Sequence, residues 1–218
     1  MSNEEKPVKE EPAPVVVDNV EPEEAPKDEH RYLEIETKYD GDGIDRIEFK
    51  TLAASLGTHK FLYVEGRDIY YVKGENDFLR HRMAAEHLED KRSELTFKKK
   101  SNDKNNNVRT EVNLRIDLNS PELVSAFCEG IGYKRNFSVY KYCDIYFFDD
   151  ANIVYYTVLS DDNKKDSYLE IEANEDSGLT EKDAWDIVLK YEKLLSPLGI
   201  SAQKRKKLSL FEIYRVLS

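Results

Sequence analysis

The sequence has little cysteine: two residues in 218, Cys128 and Cys143. Two thiols build no disulfide framework, so the fold must rest on a packed core, and a reducing compartment such as the cytoplasm is the simpler setting. Four scattered histidines match no zinc spacing. Nothing reads as a P-loop, a dinucleotide fingerprint or a nucleophile elbow, which argues against the common nucleotide-binding and acyl-transfer sites. No apolar run approaches the about 20 residues that span a bilayer, and the beginning of the chain lacks the pattern of a signal peptide, so no membrane partner is expected. Basic charge is also short. The formal net charge is -11, which gives no general attraction to DNA.

That charge is unevenly placed. Residues 1–30 hold eight Glu and two Asp against three Lys, with no Phe, Tyr or Trp. Such a segment buries too little apolar surface to offset its ordering entropy and reads as a disordered acidic tail. The other residues, 31–218, carry a net -4 and have the length of one domain.

Eight segments within that domain read as strands, rich in Tyr, Phe, Val and Ile and bounded by turn-like clusters: 32–39, 61–72, 77–83, 94–100, 108–118, 138–148, 152–159 and 167–173. Three read as helices. The first covers 44–56. The second, 121–131, has Ser120 as cap and Pro121 at its first position. The third, 181–195, follows Thr180 and stops before Pro197. Hairpin-linked strands with a few helices imply an antiparallel α+β fold.

Successive side chains of a strand point to opposite faces. In RYLEIETKY, Glu34, Glu36 and Lys38 therefore share one face, and Leu33 and Ile35 the other. The pattern recurs: Arg80 and Arg82; Thr96 and Lys98; Arg109, Glu111, Asn113, Arg115 and Asp117; Glu170 and Glu172, each set opposite apolar neighbours. A flat sheet with one wet face would give this pattern. So would an eight-stranded β-barrel with its apolar face outward under helices and its charges inward, where the interior suits side chains or one small ligand. Buried charges must be paired or bind something. The cations are Lys38, Arg80, Arg82, Lys98, Arg109 and Arg115; the acids are Glu34, Glu36, Glu111, Glu170 and Glu172. The two kinds nearly cancel and are segregated. Guanidinium forks and ammonium groups match phosphate oxygens, and paired carboxylates match Mg²⁺ or Mn²⁺. Together they describe a site for a short polyphosphate.

These motifs resemble the CYTH superfamily, the triphosphate tunnel metalloenzymes. EIETK is similar to the family's ExExK signature, and FLRHR, LTFKKK, RTEV and YLEIE fit its later strands in order. KRKKLSLFEIY is similar to its C-terminal basic segment. The resemblance runs from about Tyr32 to the end of the chain. It implies an eight-stranded antiparallel β tunnel and hydrolysis of a small triphosphate substrate. Glu34, Glu36, Glu111, Glu170 and Glu172 are expected to hold Mg²⁺ or Mn²⁺. Arg80, Arg82, Arg109, Arg115, Lys141 and Lys206, or Lys207 in its place, are expected to hold phosphates, with Lys98 and Lys38 acting in catalysis. A class IV adenylate cyclase and a non-catalytic polyphosphate- or nucleotide-binding module are the other activities the resemblance allows. The chain departs from the family pattern at three places. Asn113 stands for an acid, Cys143 for an arginine, and Ser160 for a metal-holding aspartate that Asp161 or Asp162 would have to replace.

Overall fold

The structure, a computed structural model, describes residues 31–74, 77–85, 93–100, 108–116, 120–174 and 180–216. The acidic tail and Asp117 lie outside the described residues. Nine strands appear among those described: β1 (Arg31–Asp40), β2 (Lys60–Lys73), β3 (Asp77–Ala84), β4 (Ser93–Lys100), β5 (Val108–Arg115), β6 (Lys134–Phe147), β7 (Ala151–Ser160), β8 (Lys165–Ala173) and the two-residue β9 (Arg205–Lys206). The helices are α1 (Arg46–Ser55), α2 (Pro121–Gly130), α3 (Glu181–Leu194) and α4 (Leu210–Tyr214). All eight expected strands and all three expected helices are present.

Local chemistry fixes the helix starts, because the first N–H groups of a helix need acceptors from outside it. The Asp45 carboxylate accepts from the Ile47 and Glu48 N–H groups at the start of α1. Ser120 caps α2, with Pro121 at the first position. Thr180 with Asp183 and Ser209 with Glu212 form reciprocal capping boxes for α3 and α4.

Neighbouring strands run antiparallel in the order β5-β4-β3-β2-β6-β7-β8-β1-β9. β1 closes the ring by dividing its hydrogen bonds. Its first half, Arg31–Ile35, pairs with β5, and its second half, Glu36–Asp40, pairs with β8. Each of β1 to β8 thus has a neighbour on both sides, and the sheet is a tunnel, as the barrel reading expected.

Much of the apolar outer face is covered, although Val112 and Leu114 of β5 are exposed. Ile35 and Tyr39 of β1, Ile153 and Tyr155 of β7 and Leu169 and Ile171 of β8 pack under α1 and α3, against Phe49, Val188 and Leu195. Val124 and Cys128 of α2 cover Ile69, Tyr71, Leu79 and Leu95 on the opposite side. The inner face differs from the sequence reading in one respect: it is not charged throughout. Tyr70, Phe78 and Phe137 meet Leu210 and Phe211 of α4, with the Phe78 and Phe211 rings stacked at 4.4 Å. The alternation test found charges and passed over the aromatic residues that fill this part of the inner face.

Candidate functional site

Register brings the inner-face charges together. β1 sets Lys38 opposite Glu170 and Glu36 opposite Glu172. β4 sets Lys98 opposite Glu111 of β5 and Thr96 opposite Arg80 of β3. All of these side chains except Thr96 line a cavity of about 290 Å³, which Lys141 and Cys143 of β6 and Asn152 of β7 also reach.

Inside it, opposite charges meet in three groups. Lys98 Nζ lies 2.5 Å from Glu111 Oε2, and Arg80 Nη2 lies 3.5 Å from Glu111 Oε1. Arg80 also donates to Thr96 Oγ1 at 3.0 Å. Lys38 Nζ sits 3.0 Å from Glu170 Oε1 and 3.8 Å from Glu36 Oε1. Tyr156 donates its hydroxyl to Glu170 at 2.6 Å, and Lys141 Nζ lies 4.0 Å from the centre of the Tyr156 ring. Arg82 is held by a residue that the sequence reading missed. Asp68 of β2 accepts from its Nε and Nη2, each at 2.9 Å. A signal existed: Asp68 is the one charge among Leu62, Val64, Gly66, Tyr70 and Val72 on the inner face of β2.

Among the buried polar atoms that find no hydrogen-bond partner among the described residues are Arg80 Nε and Asn152 Oδ1. An unmet buried donor or acceptor is costly, about 1–3 kcal/mol. One is a donor suited to an anion, the other an acceptor suited to a cation, and both belong to side chains that line the same cavity. The oxygen set of Glu36, Glu170, Glu172 and Asn152 fits a hard divalent cation in kind. Among the described residues no three acidic, histidine or cysteine groups converge on one metal position, and Lys38 now provides the positive charge beside Glu36 and Glu170.

Nine of the thirteen expected site residues line the cavity: Glu36, Lys38, Arg80, Arg82, Lys98, Glu111, Lys141, Glu170 and Glu172. Glu34 and Arg109 are register partners across β1 and β5, but their side chains lie outside those described. Arg115 is exposed at the end of β5 and does not line the cavity. Lys206 pairs with Asp40 at 2.6 Å and borders a different cavity. Neither Asp161 nor Asp162 lines the cavity. Asp161 accepts from the Ser138 N–H and hydroxyl and from Arg67, while Asp162 accepts from the Ser160 hydroxyl. Both are engaged in the turn after β7.

The pairing shifts the carboxyl groups. Burial alone would raise Asp68, but the charge and hydrogen bonds of Arg82 outweigh it and hold the carboxyl well below the usual range. Glu170 is depressed in the same way, burial being outweighed by Lys38 and Lys141. With folded values below the unfolded ones, the stability these groups contribute is complete above the unfolded range, about pH 4. It is lost as pH falls through the folded values. In acid titrations of urea unfolding, the free energy of unfolding is expected to fall steadily below about pH 4.5. Asp68→Asn should lower stability at neutral pH and make that acid slope shallower. An unchanged slope would mean that Asp68 is not paired in solution.

No protein-family model and no curated protein matches the sequence. Solved structures do match. The PH1012 protein of Pyrococcus horikoshii OT3 is 22% identical with a TM-score of 0.67, over 82% of this chain and 98% of that one. A candidate adenylate cyclase of Vibrio parahaemolyticus is 16% identical with a TM-score of 0.61, over 83% and 97%. A chain of the Schizosaccharomyces pombe Mediator head module is 13% identical with a TM-score of 0.52, over 77% and 95%. These likenesses establish the fold, the antiparallel tunnel that the CYTH resemblance implied. They also show the fold in an assembly whose name describes no enzyme, so activity has to be argued from the site.

Proposed function

We propose that this chain is a CYTH-type phosphohydrolase whose tunnel binds a small triphosphate with Mg²⁺ or Mn²⁺ and hydrolyses its terminal anhydride. One observation carries the reading: the buried, unmet Arg80 Nε belongs to the same cavity as Lys98 and Lys141, with the carboxylates of Glu36, Glu170 and Glu172 also in its lining. That is a cationic wall for phosphate oxygens and an oxygen-rich wall for a hard cation.

Arg80, Lys98 and Lys141 would hold the phosphate chain, Arg80 through the N–H that now lacks an acceptor. Glu36, Glu170 and Glu172, with Asn152 and by sequence position Glu34, would hold the metal. Once bound, the metal would neutralise charge on the phosphate oxygens. Lys98 and Lys38 would turn from Glu111 and Glu170 toward the substrate as the anion enters. Water attacks the terminal phosphorus in line. One P–O bond forms, the bridging P–O bond breaks, and the water's proton ends on the phosphate product. The tunnel's contribution is position and charge, as in phosphoryl transfer generally.

The test is a phosphate-release panel on the full chain: inorganic triphosphate, thiamine triphosphate, ATP and RNA with a 5′ triphosphate, each with Mg²⁺ and with Mn²⁺. Release from at least one substrate, abolished by chelation, is the expected result. Cyclic AMP from ATP would instead assign a cyclase. The departures at Cys143 and Ser160, with Arg82 already held by Asp68, favour a second reading, a non-catalytic phosphate-binding module. Triphosphate binding without release from any substrate would establish that reading in place of the first.

A further inference from the structure

The charged cavity adjoins a second one of about 570 Å³ with a different lining. Leu62, Val64 and Ile145 supply apolar walls, and Arg82, Lys141 and Cys143 belong to both cavities. The strands alternate correctly for this: Leu62, Val64 and Gly66 share a face with Asp68, and Cys143 and Ile145 share one with Lys141. Gly66 keeps β2 and β3 close here, since a Cβ would lie 2.1 Å from the Met83 carbonyl oxygen. Several polar groups of the annex are already engaged, while Glu94 and Lys141 stand where it meets the charged cavity. Asp68 holds Arg82, and Glu65 accepts from the Tyr63 hydroxyl at 2.7 Å. Away from that junction, what the annex offers a ligand is mainly apolar surface. Cys143 stands at the junction, where the family resemblance places an arginine. Burial raises its thiol, so it adds no negative charge near neutrality.

We propose that the ligand is a triphosphate monoester, its phosphates in the charged cavity and an apolar organic group in the annex, and that inorganic triphosphate is the weaker ligand. This rests on the triphosphate reading above. An arginine at position 143 would put a cation at the junction and favour a bare polyanion. A thiol beside Val64 and Ile145 lets an aliphatic or aromatic group pass from phosphate to annex without a further charge beside Arg82 and Lys141.

The probes are inorganic triphosphate, methyl triphosphate and hexyl triphosphate, titrated calorimetrically into the full chain with Mg²⁺. A fully buried methylene raises affinity about fourfold. Even partial burial of five should make the hexyl ester bind at least about tenfold more tightly than the methyl ester, with inorganic triphosphate no tighter than the methyl ester. Cys143→Arg should reverse the order by strengthening inorganic triphosphate and weakening the hexyl ester. Val64→Ser, which adds no charge, should weaken only the hexyl ester. Equal affinities for the two esters, or tightest binding of inorganic triphosphate, overturns the annex assignment and leaves the triphosphate site standing. If none of the three binds, the triphosphate reading itself is wrong and the annex proposal falls with it.

Discussion

Glu111→Ala is expected to lower the stability of the empty protein by about 3 kcal/mol, the scale for breaking a buried ion pair from one side. Glu111 is 2% exposed and neutralises both Lys98 and Arg80, whose side chains are 9% and 11% exposed. Removing it leaves two buried cations without the carboxylate that lies between them, the more distant Glu94 sitting 3.7 Å from Arg80. For a domain of this size such a loss corresponds to a melting temperature lower by about 6–12 °C. The measurement has a second arm. With chelator present to exclude metal, millimolar triphosphate should raise the melting temperature of the variant more than that of the parent. An anion would then replace the missing carboxylate rather than compete with it. A variant that melts with the parent would mean that water already solvates the trio and that the tunnel is wetter than its exposures indicate.

Glu36→Gln is expected to lower turnover at least about tenfold, equivalent to about 1.4 kcal/mol in the barrier, and raising the metal concentration should restore part of it. The substitution keeps shape and hydrogen-bonding capacity while removing one charge from the oxygen wall. Glu34→Gln should behave alike if it shares that wall, as its place in the alternation implies. Arg80→Ala is the contrast: it removes a phosphate contact, so it should raise KM and respond little to metal. A solvated face predicts something else, with all of these substitutions within about 0.5 kcal/mol in stability and silent in activity. Full activity of Glu36→Gln at limiting metal would falsify the assignment of the acid wall.

Much of the tunnel was legible because its inner face is built from alternation, and alternation survives in a single sequence. Glu36 and Lys38, Arg80 and Arg82, and Glu170 and Glu172 all turned out to line one cavity, since a register shift of one residue would have sent each pair outside. What escaped was information held between strands. Asp68 has no charged neighbour two residues away on its own face of β2, where Gly66 and Tyr70 stand, and its meaning lies in the β2–β3 register that sets it opposite Arg82. Lys206 resembled a phosphate contact by motif, yet β9 places it beside Asp40. The strand read to Leu118 is described only to Arg115. α4 was missed as a helix because five residues show no period, although Ser209 and Glu212 spell its capping box. That part of the interior is aromatic followed from the way α4 folds back on Tyr70, Phe78 and Phe137, a long-range contact that composition does not encode.

The divided pairing of β1 also bears on how the protein is made. A ribosome delivers β1 first among the strands, but Lys38 must wait for Glu170 and then Lys206 before its segment is fully bonded. Until then β1 has at most β5 to lean on, and the nascent sheet keeps open edges that other chains could join. Contacts so distant in sequence slow the search for the native state. The ring can therefore seal only after almost all of the domain has left the exit tunnel, and ribosome-bound chains stopped before β8 should be digested readily by protease where released full-length chains resist.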